Sequence, residues 1–406
     1  MQPAPPTDEP SRPRPLDGVK VLELGQLIAG PFAGTMLAYF GAEVVKFEPL
    51  AGDPIRTWRG MDGDTSVWWR SLSRNKRCVA LDLHAEAGQA LARRLALDSD
   101  VVVENFRPGT LERWGLGPEA LLESKPSLVI ARVSGFGQTG PYRERAGFAA
   151  VCEAMSGLRH ITGTPGEPPV RSNLSLGDTL GGLHGVIGIL LALLHRDRTG
   201  QGQIVDVALT ESVLNVMESV LPEVRALGIV RQPSGGALTG VVPSNAYLCK
   251  DGRSVVIGAN TDRLFAALMR VAGREDLASD PALASNPGRV EQVERIDAAI
   301  ASWTGSRASD EVVLALSAAG IPAGPIYDAA AVAADPHFQE RGLWEVATAE
   351  GRAFELPALA PKLTTTPGRT EWAGPALGAH TDEVLRERLG LDAAAILELR
   401  GRGVIR

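Results

Sequence analysis

Residues 19–48 read VKVLELGQLIAGPFAGTMLAYFGAEVVKFE. The first seven, VKVLELG (19–25), form a short β-rich run that stops at a glycine. A Gly/Pro turn follows, then a helical stretch over Phe32–Phe40, then a second apolar run, EVVKFE (43–48). Strand, helix and strand in so short a span is the unit from which parallel sheets are built. The same character returns at VALDL (79–83), VVVEN (101–105) and LVIARVS (128–134). Between these runs lie helical patterns at 87–100 and 117–125. Short apolar strands alternating with helices predict an α/β fold whose parallel sheet is covered on both faces. Ligands on such sheets sit beyond the carboxyl ends of the strands. A site is therefore expected in the loops after Leu24, Glu48, Val103 and Val133.

The second half changes style. Helices are predicted over Asp178–Arg196 and 209–227, with a strand, QIVDV, at 203–207. A loop rich in Gly, Ser and Pro (232–243) then precedes a β-hairpin, Asn245–Cys249 and Ser254–Ile257, joined by Lys250-Asp251-Gly252-Arg253. Helical patterns at 261–273, 289–303 and 309–319 complete a smaller α+β region. The last stretch is turn-rich, with helices expected at 382–389 and 393–402.

Composition excludes several classes. The 406 residues are 44% hydrophobic and 22% charged, so a large core can be buried and the chain as a whole is not disordered. Lys and Arg total 41 against 48 Asp and Glu, a net charge of −7, which lacks the basic footprint of a nucleic-acid binder. Three scattered cysteines (Cys78, Cys152, Cys249) form no CxxC pair, so neither a disulfide framework nor a zinc ribbon is expected. A reducing, cytoplasmic location is the expectation. The longest purely apolar run, Val186 to Leu194, is far short of the roughly 20 residues that span a bilayer. The opening MQPAPPTDEPSRPRP has no apolar core and reads as a disordered tail over 1–15.

Gly135-Phe-Gly137-Gln-Thr-Gly140 matches GxGxxG, but no helix opens at the glycines and no acidic strand end follows about 20 residues on, so no nicotinamide or flavin site is expected. The six histidines (84, 160, 184, 195, 337, 380) show no metal-ligand spacing, and no metal is expected. Asp178 follows Gly177 and opens the long central helix, with Gly181 and Gly182 in its first turn. One reading makes it an N-cap. The other uses the same helix dipole to hold an ionised carboxylate, with the glycines letting a ligand approach the backbone, as a nucleophile toward an activated acyl group. Spacing alone leaves both open. Three basic clusters (Arg74-Asn75-Lys76-Arg77, Arg107 with Arg113, Arg143 with Arg145) fall at turns and suit an anionic ligand carrying several phosphates.

At these residues the sequence resembles the class III CoA-transferase family, the group of formyl-CoA transferase, carnitine CoA-transferase and α-methylacyl-CoA racemase. The resembling segments are 16–49, NKRCVALDL (75–83), VVVENFRPGTLERWGL (101–116), ARVSGFGQTGPYRERAGF (131–148), 176–209, IPAGPIYD (321–328) and PALGAHTDEVL (375–385). The resemblance implies an intertwined homodimer. It implies a large doubly wound domain (16–228), a small α+β domain (229–330) and a C-terminal segment (331–406) returning to the large domain. It assigns Asp178 as the catalytic nucleophile, passing through aspartyl anhydride and aspartyl-CoA thioester intermediates with no metal, nicotinamide or flavin.

Carried over residue by residue, the coenzyme A site would comprise Ile28, Ala29, Asn75, Lys76, Arg77, Cys78, Asn105, Phe106, Arg107 and Arg113. A glycine loop shielding the anhydride would correspond to Ser234-Gly235-Gly236. Racemase members carry a His where this chain has Phe148, and a phenyl ring exchanges no proton, so the isomerase reading loses a base. The oxalate-specific branch has a Gln where this chain has Ile28 and a Tyr at Phe148. The segment SGLRHITGTPGEPPVR (156–171) resembles members moving CoA from succinyl-CoA to dicarboxylic or hydroxy-dicarboxylic acids. Arg143 or Arg171 is then expected to pair with the carboxylate distal to the thioester. A non-catalytic partner subunit is the remaining reading.

Overall fold

A computed structural model describes residues 12–406. Six parallel strands build the main sheet: β1 (Lys20–Glu23), β2 (Glu43–Glu48), β3 (Lys76–Ala80), β4 (Val101–Glu104), β5 (Val129–Ser134) and β6 (Ile204–Ala208). Their order is β3-β2-β1-β4-β5-β6, the doubly wound arrangement in which the chain reverses direction across the sheet between β1 and β4. Helices α1 (Ala29–Tyr39), α2 (Glu86–Asp98), α3 (Ala149–Met155), α4 (Leu176–Thr199) and α5 (Leu209–Leu214) accompany it.

Both faces are covered, which is why the strands read as near-continuous apolar runs. Val21, Val44, Val101 and Val129 pack on Ala33 and Leu37 of α1 and Ile189 and Ala192 of α4. Their neighbours Leu22, Val45, Val102 and Ile130 point the other way, onto Leu91 and Leu95 of α2 and the C-terminal Val384, Leu385 and Ile396. Helix α4, although 24 residues long and apolar, is seated through its glycines. A Cβ on Gly182 would lie 2.8 Å from the Ala29 carbonyl oxygen, and one on Gly181 or Gly188 would collide with Leu209 or Val205.

The chain divides into two compact units. The first comprises residues up to 158, 172–227 and 342–406; the second comprises 159–171 and 228–341. The expected boundary at 330 is thus displaced to 341, and 159–171 groups with the second unit rather than the first. That stretch has no regular helix or strand, and its Gly163 carbonyl accepts from Gly235 N–H at 2.9 Å. In the second unit, antiparallel strands Ser244–Leu248, Ser254–Gly258 and Ala323–Pro325 carry a core of Phe265, Leu268, Ile296, Ile300 and Leu316. The predicted hairpin is present with Val255 opposite Tyr247. The helix expected over 209–227 is broken instead into Leu209–Leu214 and Val220–Leu227, with Glu218 in the left-handed region at φ 49°.

Of the expected tail, residues 1–11 lie outside the described residues, whereas 12–15 are seated: Arg14 pairs with Asp17 and Glu371, and the Arg12 carbonyl accepts from Arg369. The C-terminal segment contains a hairpin the sequence reading missed, Trp344–Ala349 with Arg352–Pro357. Within the first unit, it is held by Arg74, which donates to the Pro357 carbonyl, and by Trp69 and Arg56, which donate to the Pro375 carbonyl.

Charges lie inside this sheet. Glu23 on β1 bridges Lys46 on β2 (3.0 Å) and Lys76 on β3 (2.8 Å), all three side chains fully buried. Lys46 also pairs with Asp53 at 3.0 Å, and Lys76 donates to the Pro31 carbonyl at 2.6 Å. Burial pushes the Lys46 ammonium toward losing its proton, but Glu23, Asp53 and Glu48 together outweigh that and raise its pKa. Lys76, with Glu23 opposing its burial less effectively, is lowered. Replacing Glu23→Gln leaves two buried ammonium groups without their shared counter-charge. The expected loss is about 3–5 kcal/mol, read as a lower urea midpoint with unchanged slope.

Candidate active site

The direction reversal between β1 and β4 opens a crevice beyond their carboxyl ends, where open α/β sheets bind ligands. The loop entering α1 lies there, and side chains hold it peptide by peptide. Lys46 donates to the Gly25 carbonyl at 2.8 Å. Asn105, just past β4, accepts from Gln26 N–H and donates to Gln26 C=O, both at 2.8 Å. Asp53 accepts from Leu27 N–H at 3.2 Å, and Leu27 sits in the left-handed region at φ 64°. Such a conformation in a non-glycine residue persists only where the surroundings enforce it. Gly25 is required by the same clamp, since a Cβ there would come within 2.6 Å of Asn105 Oδ1.

The loop after β4 is fixed equally firmly. Glu104 accepts from Phe106 N–H at 2.8 Å and from Arg132 Nε at 2.7 Å. Burial pushes the Glu104 carboxyl up to about 7, against the pull of Arg132. Phe106 meets Trp114 edge-on at 5.1 Å. Beside this contact a cleft of about 280 Å³ opens at the ends of β1, β2 and β3, lined among others by Leu24, Gln26, Phe47, Leu81, His84 and Trp114. His84 and Trp114 were not anticipated as site residues. Strand β3 ends at Ala80, three residues before the predicted 79–83 run does, so the loop carrying His84 begins earlier than the sequence suggests.

A second, smaller pocket, about 130 Å³, lies between the loops after β4 and β5. It brings together five residues expected at the site: Asn105, Phe106, Arg107, Arg143 and Phe148. Phe148 is 70% exposed at its rim. Arg113, at the end of the short helix Thr110–Arg113, donates to Thr110 Oγ1 and adjoins Trp114.

Other expected residues are elsewhere. Asn75 precedes β3, Lys76 and Arg77 begin it at its amino-terminal end, and Cys78 is inside it. Asn75 bonds the backbone of Arg369 and Glu371, Lys76 is buried on Glu23, and Arg77 pairs with Glu43, Glu383 and Glu387. Cys78 is fully buried, its backbone N–H donates to His380 Nδ1, and burial followed by the Glu48 charge drives its thiol pKa up. These four side chains serve the fold within the chain. Arg171, Gly235 and Gly236 belong to the second unit; Arg171 is exposed. Ile28 is buried against Ile55 and Trp69, and Ala29 opens α1.

Asp178 is not the N-cap. It is the third residue of α4, after Leu176 and Gly177, and the flanking Ser175 makes no side-chain cap. The cap comes from outside: Glu153 of α3, itself buried, accepts from Gly177 N–H at 3.0 Å. Gly181 and Gly182 do not leave room for a ligand either, because Leu209 and α1 fill the space beside them. What remains of the functional reading is a half-buried carboxylate in the first turn of a long helix, where the dipole favours its ionised form. Its neighbour Cys152 donates Sγ–H to the Gly135 carbonyl, and burial, then the Asp178 and Glu153 charges, push that thiol up to about 11.

An apolar cleft and a guanidinium-lined pocket at the carboxyl ends of the strands suit an anionic ligand with an apolar part. The family model for CoA-transferase family III matches residues 16–381, and the chain belongs to that family. It is an enzyme of the transferase class. It is 46% identical over 396 residues to the succinyl-CoA–D-citramalate CoA-transferase of Chloroflexus aurantiacus, covering 97% of this chain and 98% of that one. The alpha subunit of a succinyl-CoA–L-malate CoA-transferase from Chloroflexus aurantiacus is 40% identical, covering 96% and 92%. Human succinyl-CoA:glutarate CoA-transferase is 33% identical, covering 97% and 90%. A CAIB/BAIF family protein from Brucella suis superposes with a TM-score of 0.82 at 33% identity, covering 93% and 100%.

Two outcomes test this geometry. Asn105→Ala removes both clamps on Gln26 and leaves a sequestered N–H unpaired, for an expected loss of about 1–3 kcal/mol in urea unfolding. Asp178→Asn removes a charge that keeps Cys152 protonated, so alkylation of Cys152 by iodoacetamide at about pH 9 accelerates. Cys78 keeps its rate, and peptide mass spectrometry of the native enzyme reads both thiols.

Proposed function

We propose that this enzyme moves CoA from succinyl-CoA to a free dicarboxylic or hydroxy-dicarboxylic acid, with Asp178 as nucleophile. The observation that carries the reading is the position of Asp178 in the first turn of α4, within the electrostatic reach of Cys152 and the β5 loop. The Asp178 carboxylate attacks the thioester carbonyl; the C–S bond breaks, giving a succinyl-aspartyl anhydride and CoA thiolate. The thiolate attacks the aspartyl carbonyl, releasing succinate and leaving an aspartyl-CoA thioester. The acceptor carboxylate attacks that thioester, expelling CoA thiolate and forming a second anhydride. The thiolate then attacks the acceptor's acyl carbon, and Asp178 is regenerated. Each step exchanges one activated acyl group for another, so no external energy source enters the balance.

The neighbouring residues support the reading. Asp178 stands in the field of the helix terminus, next to Gly177, whose N–H donates to Glu153. The apolar cleft ending at Trp114, with Arg113 beside it, suits the nucleotide end of coenzyme A. Citramalate, malate and glutarate in the relatives' names point to acids with two carboxylates. Phe148 offers no proton-transferring group, which disfavours α-epimerisation. We further propose a homodimer: Leu183, Ile187, Leu191 and Leu194 leave an apolar stripe exposed along α4.

The test mixes purified protein with succinyl-CoA and a panel of free acids and follows acyl-CoA products by mass spectrometry. A new dicarboxylyl-CoA is expected from the isolated chain, and Asp178→Ala should lower turnover by roughly 10³–10⁶. Undiminished turnover in that variant would remove Asp178 from the mechanism. Deuterium wash-in at the α-carbon of a 2-methylacyl-CoA would favour the isomerase reading instead.

A further inference from the structure

The pocket between the β4 and β5 loops has an unbalanced wall. Three guanidinium groups, Arg107, Arg143 and Arg145, line it together with Ser134, and no carboxylate does. Arg143 is engaged with Glu144 at 3.3 Å. Arg107 and Arg145 have no carboxylate partner among the described residues, and Arg145 is held by stacking on Tyr142 at 3.7 Å. At the end of β5, Ser134 is only 7% exposed, and its hydroxyl oxygen is buried without a hydrogen-bond partner among the described residues. A sequestered hydroxyl is ordinarily satisfied, so one left open in a cationic pocket is a donor awaiting an acceptor.

Resting on the transferase reading above, we propose that this pocket is the subsite for the distal carboxylate of the acyl group, shared in turn by succinyl-CoA and the acceptor acid. Arg145 and Arg107 supply the counter-charge and Ser134 Oγ–H the hydrogen bond. The pocket is linked to the nucleophile: Gly135 in its wall accepts from Cys152, whose thiol is raised in part by the Asp178 charge. A single nucleophile exchanges both acids, so donor and acceptor must place their second carboxylate in the same place. One cationic subsite therefore selects succinyl-CoA as donor and a dicarboxylate as acceptor. A monocarboxylate would leave the guanidinium groups unpaired.

A phosphate of coenzyme A would satisfy the same groups, and the experiment separates the two. KM and kcat are measured for succinyl-CoA, butyryl-CoA and glutarate, and Kd for CoA itself, in the wild type, Arg145→Gln, Arg145→Lys and Ser134→Ala. The expected result is a rise of about tenfold or more in KM for succinyl-CoA and glutarate in Arg145→Gln. Its preference for succinyl- over butyryl-CoA falls, Arg145→Lys restores part of it, and the CoA Kd is unchanged. Ser134→Ala shifts the same constants less. A weakened CoA Kd with acyl preference intact assigns the pocket to a phosphate and overturns the proposal, as does no change in any constant. If the wild type transfers nothing, saturation-transfer NMR with glutarate alone still reads the pocket. A glutarate signal lost in Arg145→Gln upholds the subsite while the transferase reading falls, and no signal in the wild type overturns the subsite too.

Discussion

The loop entering α1 at the carboxyl edge of the sheet rests on a buried carboxylate, Glu23, shared by two buried ammonium groups, Lys46 on β2 and Lys76 on β3. Ion pairs in such surroundings recover their desolvation cost only when the remaining donors and acceptors are also met. On the ammonium side Lys46 continues to Asp53 and to the Gly25 carbonyl, and Lys76 continues to the Pro31 carbonyl at the start of α1. The network thereby ties three strands to the loop that crosses the ligand crevice. Helix α1 closes over it so tightly that Gly34 admits no Cβ beside the Glu23 carboxylate. Apolar residues of equal volume would pack these strands together too. They would leave the Gly25 carbonyl and the Leu27 turn without the partners that hold them.

The glycines of α4 solve a related problem at the other half of the site. A carboxylate carried on a helix is only as well placed as the helix, and α4 is fixed by contacts that a side chain would block. Gly177 rests on Ala149 and Glu153, Gly182 on Ala29 and Phe32, and Gly185 on Ala33. The cost is the backbone entropy of several glycines in one helix, each about 0.5–1 kcal/mol relative to Ala. The return is contact between α4 and α1, the helix that leaves the clamped loop, so the elements flanking the crevice are joined directly.

The parallel sheet was legible because its signal is local. Apolar runs such as 43–48 and 101–105 have strand length, and the intervening helices have a one-sided apolar pattern. The carboxyl-edge rule pointed to the loop after Leu24, and Asn105 and Arg107 lie in the loop after β4 beside it. What escaped the reading was decided by tertiary contacts. Lys76 reads as a surface charge because lysine is almost always exposed, and only the position of Glu23 across two strands buries it. Strand β3 begins at that lysine, so a basic run that looks like a phosphate loop is strand, and the loop of His84 beyond it stayed hidden. Residues 344–357 alternate too weakly to announce a hairpin, and 159–171 carries no pattern that ties it to residues 70 positions downstream.

Asp178 shows the same division within a single residue. Its place near the start of a long apolar helix was visible, but its offset from the cap was not, because the capping group is Glu153 from another helix. The distinction bears on chemistry. An N-cap carboxylate spends its lone pairs on its own helix, satisfying backbone N–H groups at the N2 and N3 positions. Glu153 takes over one of those groups, at Gly177, and stands buried to do so. Asp178, one residue further in, is half-buried within the first turn of the helix. Under the proposed mechanism, a capping carboxylate separate from Asp178 would let the helix stay intact while Asp178 changes from carboxylate to neutral acyl group and back.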